Sequence, residues 1–303
     1  MKTSIALACL FFLPSVAACA AEPETDEATA QAADLSGPNC GAHEARTLDV
    51  MTINLRRDSD QMERRLPILA REIALRHPDL IGMQEVMIVW RQAERLADLV
   101  VEAGGPRYQL SQHHKPGLGG FILGEGIAVL SRWPIVESRT TDLGDMRTAQ
   151  LARVALPSGA RIAMFNTHLE NGQTPEKDAV RKNEAERLVR FISDQAGCDV
   201  TFLTGDFNST PSAAAMQVVR ANGFIDSEEA LHGGGAGFTF PVALADGAFD
   251  QRPTMRIDFV LTRGTNGRAA TPVDSAVVFR HPDDKGFYAS DHFGVLSSFQ
   301  ASL

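Results

Sequence analysis

Tryptophan and tyrosine occur only twice each in the 303 residues, cysteine four times, and no Cys/His cluster is present. The missing cluster excludes a structural zinc site. Apart from Met1–Ala21 there is no long apolar run, so the chain is not polytopic. No basic stripe stands out and few aromatics look exposed, which argues against tight, non-specific binding of long duplex nucleic acid. A nuclease is not thereby forbidden, because bound metal ions can supply positive charge locally. No short-period repeat occurs, and 44% hydrophobic with 22% charged residues excludes wholesale disorder, a collagen-like chain and a coiled coil. The chain is long enough to bury a full core, in one large domain or two small ones.

The formal net charge of −9 is unevenly placed. Residues 20–45 hold Glu22, Glu24, Asp26, Glu27, Asp34 and Glu44 and no Lys or Arg, whereas residues 46–303 carry 28 basic and 32 acidic groups. Ahead of this acidic stretch, Lys2 precedes an almost wholly apolar Ser4–Val16 and then small residues, the pattern of an export signal. Val16-Ala17-Ala18-Cys19 resembles the lipobox of bacterial lipoproteins, making residues 1–19 a signal peptide and Cys19 the acylated first residue. Ala18-Cys19-Ala20 also fits ordinary signal peptidase cleavage, which would give a periplasmic or secreted protein. Several acyl chains on Cys19 would anchor the protein stably to a membrane. In a Gram-negative cell, Ala20 rather than Asp after the Cys favours the outer membrane.

Residues 20–45 lack hydrophobic periodicity and are read as a disordered acidic tether, leaving 46–303 as one folded domain. Cys9 is lost with the signal. Cys40 and Cys198 then remain as an even pair in an oxidising compartment, a candidate disulfide, with two unpaired thiols as the alternative.

From residue 46 strands and helices alternate. Strands are predicted at 47–54, 79–83, 126–131, 151–156, 161–167, 199–204, 256–261, 275–280 and 293–299, several of them apolar runs bounded by turn residues. Leu66, Leu69 and Ile73 mark a helix over 65–76, and Val89, Ala93, Leu96 and Val100 a second, stopped by Gly104-Gly105-Pro106. A long amphipathic helix is predicted over 177–195. Two strand–helix–strand units of similar build indicate a pseudo-duplicated α/β domain.

The polar residues are distinctive in where they fall. Asn54, Glu85, His168, Asp206 and Asn208 each sit at the C-terminal end of a predicted strand, the edge at which open α/β sheets bind ligands. Asp258 lies inside the apolar RIDFVL strand, and Asp291-His292 just precedes the last strand. Any one of these would pass as a turn, a cap or a satisfied buried acid; the set over one edge does not. Its oxygen-rich inventory suits Mg²⁺, Mn²⁺ or Ca²⁺. Glu85 with Asp291 could hold Mg²⁺, a His292 oriented by Asp258 would be more basic, and His168 or Asn208 could donate to charge developing on a phosphoryl oxygen. Metal-assisted attack of water on phosphorus is the chemistry this favours.

The ordered stretches TINL (52–55), GMQEV (82–86), GIAVLSRWPI (126–135), NTHLE (166–170), TGDFNSTPS (204–212), RIDFVL (256–261) and SDHFGV (290–295) resemble the endonuclease/exonuclease/phosphatase superfamily. They span nearly all of 47–299. The resemblance implies a single-domain α/β (α+β) fold, a four-layer αββα sandwich like that of deoxyribonuclease, with the site at one edge. It also implies roles. Glu85 would be the principal ligand of Mg²⁺ (or Mn²⁺), with Asn54 and Asp291 nearby, directly or through water. Asp206 would orient or deprotonate the attacking water, Asn208 position phosphate and His168 stabilise the transition state. His292, held by Asp258, would act as acid/base or phosphate contact.

Departures narrow the substrate. An inositol-polyphosphate 5-phosphatase would show an aromatic and Arg where Ser209-Thr210-Pro211 follows Asn208, and an abasic-site endonuclease would show Trp where Met255 precedes Arg256. The DFNSTPS stretch is similar to deadenylase-type members. The expectation is an exported metal-dependent phosphoester hydrolase, with diesters favoured over monoesters and the membrane met through the lipid anchor. The substrate would be a small molecule, a phospholipid headgroup or nucleic acid, and no protein partner is implied. The alternative from another class is a ligand-binding lipoprotein without catalysis. His113-His114 are expected in a solvated loop, with contact to substrate over the site as the alternative, and Arg181, Lys182, Arg187 and Arg190 on the wet face of a helix. The 233–240 stretch (GGGAGFTF) is either a lid placing Phe238 and Phe240 near a ligand or plain loop packing.

Overall fold

The computed structural model describes residues 44–57, 61–117, 122, 124–235, 237–264 and 268–303, all within a compact unit spanning Pro38–Leu303. The leader, most of the tether, and Cys9, Cys19 and Cys40 lie outside the described residues. No helix among the described residues is long and apolar enough to cross a membrane.

Two six-stranded mixed sheets stack face to face. The first runs β11(Ala269–Val278)-β12(Gly294–Ser302)-β1(Ala45–Asn54)-β2(Leu80–Met87)-β4(Glu125–Ser131)-β3(Gln109–His114). The second runs β5(Ile135–Gly144)-β6(Arg147–Ala155)-β7(Arg161–His168)-β8(Val200–Asp206)-β10(Asp258–Arg263)-β9(Ile225–Asp226). Each sheet contains one parallel pair, β1/β2 crossed by helix α1(Met62–Arg76) and β7/β8 crossed by α3(Pro175–Ala196). In both, an antiparallel strand follows on the outer side of the pair, β4 beside β2 and β10 beside β8. This is the duplication visible in the sequence.

The period-2 alternation of β1 explains the layering. Leu48 and Val50 face the second sheet and join Leu80, Val129, Met164, Phe202 and Phe299 in an inter-sheet core. Met51 and Ile53 face outward and pack with Leu66, Leu69 and Ile73 of α1 and Leu96 and Val100 of α2(Gln92–Glu102). On the far side, Leu188 and Ile192 of α3 and Met216 and Val219 of α4(Ala214–Ala221) cover Phe165, Leu203 and Phe259. The result is the expected αββα sandwich.

Several local expectations need correction. The strand expected to end at residue 83 runs on to Met87 through a bulge. Asp258 opens β10 instead of lying inside a strand, and β11 begins six residues earlier than predicted. His113 and His114 are not loop residues but end the edge strand β3, where His113 Nε2 is 2.6 Å from Ser138 Oγ. Arg181 is buried, donating to the carbonyls of Glu170 and Gly172, and Arg187 donates to Leu143 O at 2.7 Å, so neither is simply a wet-face cation. Helices α4 and α5(Ser227–His232) and strands β3, β5 and β9 had no counterpart in the sequence reading.

Candidate active site

The inward faces of the central strands change character toward one edge. Where β1, β2, β7 and β8 leave the apolar core, Thr52, Gln84, Asn166 and Thr204 meet between the sheets. Gln84 Nε2 donates to Asn166 Oδ1 (2.7 Å) and to Thr52 Oγ1 (3.0 Å). Thr204 Oγ1 donates to Asn166 Oδ1 at 3.2 Å, and Asn166 Nδ2 donates to Met83 O and Ala128 O. Gly82 makes this approach feasible, because a Cβ there would stand 2.0 Å from Thr204 Oγ1. Two residues further along the same faces stand Asn54, His168 and Asp206, completed by Asp258 at the start of β10 and His292 just before β12.

Asp206 is the hub. Its Oδ2 accepts from Asn54 Nδ2 at 3.0 Å and lies 3.5 Å from His168 Nε2 and 3.7 Å from His292 Nε2. Oδ1 accepts from the backbone N–H of Asn208, a turn that puts Asn208 in the left-handed region at φ 48°. Asn208 Nδ2 then reaches His168 Nε2 (3.1 Å) and Leu169 O (3.0 Å). Burial pushes Asp206 up to about 7, with His292 pulling it down and Asp258 pushing it up. Burial opposes a charge on His292 as well. There Asp258, whose Oδ2 is 2.9 Å from Nδ1, and Asp206 outweigh it and lift the imidazole to about 10. Burial, then Arg147 and Lys115, hold His168 well below its ordinary value. The centre therefore pairs a cationic imidazole with a neutral one across a single carboxylate. Phe240 covers His292, ring centroids 4.7 Å apart.

Glu85 and Asp291 form the outer rim. Glu85 sits at the bulge where β2 loses register with β4, at φ 52°, and this turns its carboxylate to the edge. Its pKa is raised by burial and by Glu125 and Asp291, with Arg57 opposing. Arg57 Nε is 3.3 Å from Glu85, and an Arg56 guanidinium nitrogen is 2.5 Å from Asp291. Glu125 is itself paired with Lys115. Mutually repelling carboxylates with oxygen donors fit a hard divalent cation, which would displace the arginines as counter-charge. Ligand atoms of Asp206, Asp258 and His292, within 4.8 Å of one another, form a second group able to hold a metal.

All eight residues singled out for chemistry or metal binding thus lie along one edge. Cys198 is disulfide-bonded; a pairing with Cys40 falls outside the described residues. The sequence reading missed Arg56, Arg57, Lys115, Glu125 and Arg147, which set the charge around the centre. It also missed Arg65 of α1. Its fully buried guanidinium donates to the carbonyls of Leu55 and Arg57 on one loop and of Ala289 on the other, joining the loops after Asn54 and before Asp291. An Arg among Leu66, Leu69 and Ile73 carried no signal beyond its place beside the apolar stripe.

A buried His/Asp/Asn centre at the edge of an αββα sandwich defines a phosphoester hydrolase of the deoxyribonuclease-like class. The chain belongs to the Endonuclease/Exonuclease/phosphatase family, whose model matches residues 51–292. Members of this family are divalent-metal-dependent phosphoester hydrolases, nucleases, phosphodiesterases and phosphatases among them.

Solved structures agree in fold. An endonuclease/exonuclease/phosphatase from Bacteroides vulgatus is 20% identical over 84% of this chain and 99% of its own, with a TM-score of 0.67. D. rerio TDP2 complexed with a single-strand DNA product shows 20%, 84% and 99%, with a TM-score of 0.66. A mannosyl-6-phosphatase from Bacteroides thetaiotaomicron is 18% identical over 83% and 99%, with a TM-score of 0.64. Among curated proteins none matches this chain significantly.

Proposed function

We propose that the protein is a phosphodiesterase, active with Mg²⁺ or Mn²⁺ held by Glu85 and Asp291 with Asn54 close by. The observation that carries this reading is the convergence of Asn54, His168 and His292 on Asp206 Oδ2. A carboxylate lifted to about 7 can take a proton from water at neutral pH, and Asn54 and the backbone of Asn208 fix its direction. The metal, when bound, polarises the phosphoryl oxygens and lowers the pKa of water. Cationic His292 places a donor where negative charge develops, held there by Asp258. Neutral His168, its Nε2 facing Asn208, adds orientation without a second positive charge.

Export and anchoring through Cys19 belong to the same proposal, supported by the leader and by the disulfide at Cys198, a bond of oxidising compartments. Cys19→Ala is expected to move the protein from the membrane pellet to the soluble fraction. The activity is tested with bis(p-nitrophenyl) phosphate and p-nitrophenyl phosphate, with Mg²⁺, Mn²⁺ or EDTA. Metal-dependent release from the diester, abolished in Glu85→Gln and His168→Ala, is the expected result. Release chiefly from the monoester would make it a phosphatase, and metal-independent binding without turnover would support a ligand-binding lipoprotein.

A further inference from the structure

The active-site edge continues past His292. Strands β11 and β12 are antiparallel with Val278 opposite Gly294, so Arg280, two residues beyond β11, emerges at the same edge as His292 and Phe293. A cleft of about 350 Å³ opens there, lined by Phe293, Val277, Arg280, Arg252, Pro253 and Phe238. That volume lies at the small end of ligand pockets. Among the described residues neither Arg252 nor Arg280 makes an ion pair or hydrogen bond, and no carboxylate lines the cleft. Two other sizeable clefts differ: their arginines share the walls with Glu72 in one case and Asp283 and Asp284 in the other. Two uncompensated guanidiniums match a dianion, and their planar forks suit phosphoryl oxygens. The apolar part of the wall matches a ring. Phe238 is 45% exposed although it sits in the cleft, and Phe293 is buried behind it.

One stretch of chain couples this cleft to the catalytic centre. Thr239 is buried, its N–H donating to Met255 O and its carbonyl accepting from Phe293 N at 2.8 Å. Phe238 on one side of it enters the cleft, and Phe240 on the other lies on His292. Two residues of extended chain span about 7 Å, the reach of one substituent on a phosphodiester.

We propose that this cleft is a second subsite, specific for a phosphoryl group carried on a ring, so that the enzyme prefers diesters with one such arm. The role in catalysis rests on the phosphodiesterase reading; the binding site does not. Phenylphosphonate, which has the dianion and the ring but no scissile ester, is the probe. It is titrated calorimetrically into the full-length protein in EDTA.

The expected result is saturable binding that weakens at least about tenfold in Arg252→Ala and Arg280→Ala and about threefold in Phe238→Ala. Binding should persist in Glu85→Gln and His168→Ala. Absence of saturable binding overturns the subsite. So does loss in Glu85→Gln or His168→Ala with retention in the arginine variants, which would locate the ligand at the catalytic centre. Equal affinity for methylphosphonate would overturn the ring-binding half. Kinetics distinguish the source of the ligand: a nucleoside 3′-phosphate 5′-(p-nitrophenyl phosphate) and a phosphorylated-sugar diester are each compared with the analogue lacking the remote phosphate. A lower KM for the phosphorylated member of either pair supports the proposal and names the arm. No difference in both pairs refutes the preference even if hydrolysis itself is confirmed.

Discussion

The amide of Gln84, on the first sheet, is 2.7 Å from Asn166 Oδ1, on the second, and this contact sets the register of the two halves of the active site. Thr52 and Thr204 complete a buried polar layer between the apolar core and the catalytic edge. Asn54 lies two residues beyond Thr52 and His168 two beyond Asn166, so a shift in this layer carries directly to the Asn54–Asp206 contact. Asn166→Ala leaves Gln84, Met83 O and Ala128 O short of partners in a dry interface. The expected cost is about 2–4 kcal/mol in urea unfolding, with a lower kcat. Gly82→Ala should be at least as damaging, because its Cβ would meet Thr204 Oγ1 at 2.0 Å and Asn166 Oδ1 at 2.8 Å. Unchanged stability in both variants would show the layer to be incidental.

Arg65 does for the loops what Gln84 does for the sheets. Its hydrogen bonds to Leu55 O (2.6 Å), Arg57 O (2.8 Å) and Ala289 O (3.1 Å) tie the loop after Asn54 to the loop before Asp291. Arg65→Lys keeps the charge but cannot span both loops with one compact ammonium. Its kcat is expected to fall about tenfold, with the metal concentration for half-maximal activity raised. Arg65→Met should lose about 3 kcal/mol of stability. If Arg65→Lys keeps full activity and metal affinity, the clamp does not position the rim.

Much of this architecture was legible because it rests on periodicity. The inward faces of β1 and β7 alternate cleanly, and the polar residues that end them broke an otherwise apolar pattern. Edge strands left no such trace. β3 (QLSQHH) and most of β5 (IVESRTTDLG) are polar and half open to solvent, so neither an apolar run nor a strict alternation marked them. The bulge at Glu85 was equally silent, because a non-glycine residue at positive φ is imposed by tertiary contacts. Arg181 shows the converse error. Its neighbours Lys182 and Arg190 do face solvent, yet its own guanidinium is needed inside to satisfy the carbonyls after His168.

Glu184 of α3 gives the protein a pH dependence outside the catalytic centre. Burial pushes its carboxyl up to about 7, although Glu184 Oε2 accepts from the Glu170 N–H at 2.8 Å. The folded protein thus holds this proton to higher pH than the unfolded chain, whose value is near 4.5. The associated stability is fully present below about 4.5 and is lost as pH rises through about 7. Glu184→Gln is expected to stabilise by about 1–3 kcal/mol at pH 8 and to change little at pH 4.5, read from urea midpoints. Equal effects at both pH values would place the titration elsewhere.

The disulfide at Cys198 makes a sharp test of the expected pairing with Cys40. If the two are partners, Cys40→Ala and Cys198→Ala should each destabilise by about 2–4 kcal/mol, and the double variant by no more than either single one. Additive losses, or a free thiol in the oxidised wild type, would rule that pairing out.

Asp258 and His292 form a buried charged pair at the centre of the site. Asp258 meets His292 through Oδ2, 2.9 Å from Nδ1, while Oδ1 is buried without a hydrogen bond. Such an arrangement is worth retaining only if the imidazole carries its proton, since the carboxylate has little else to offset its burial. With His292 lifted to about 10, the stabilising interaction is complete below the unfolded value of 6.5 and disappears as pH rises through about 10. Asp258→Asn preserves shape and removes the larger of the two attractive charges. The expected outcome is an imidazole titration, followed by proton and carbon shifts in NMR, that moves down toward the neutral range. At pH 8 the variant would hold a neutral ring where the wild type holds a cation, and kcat should fall about a hundredfold. A variant whose imidazole titration is unmoved would mean that Asp258 orients the ring without charging it.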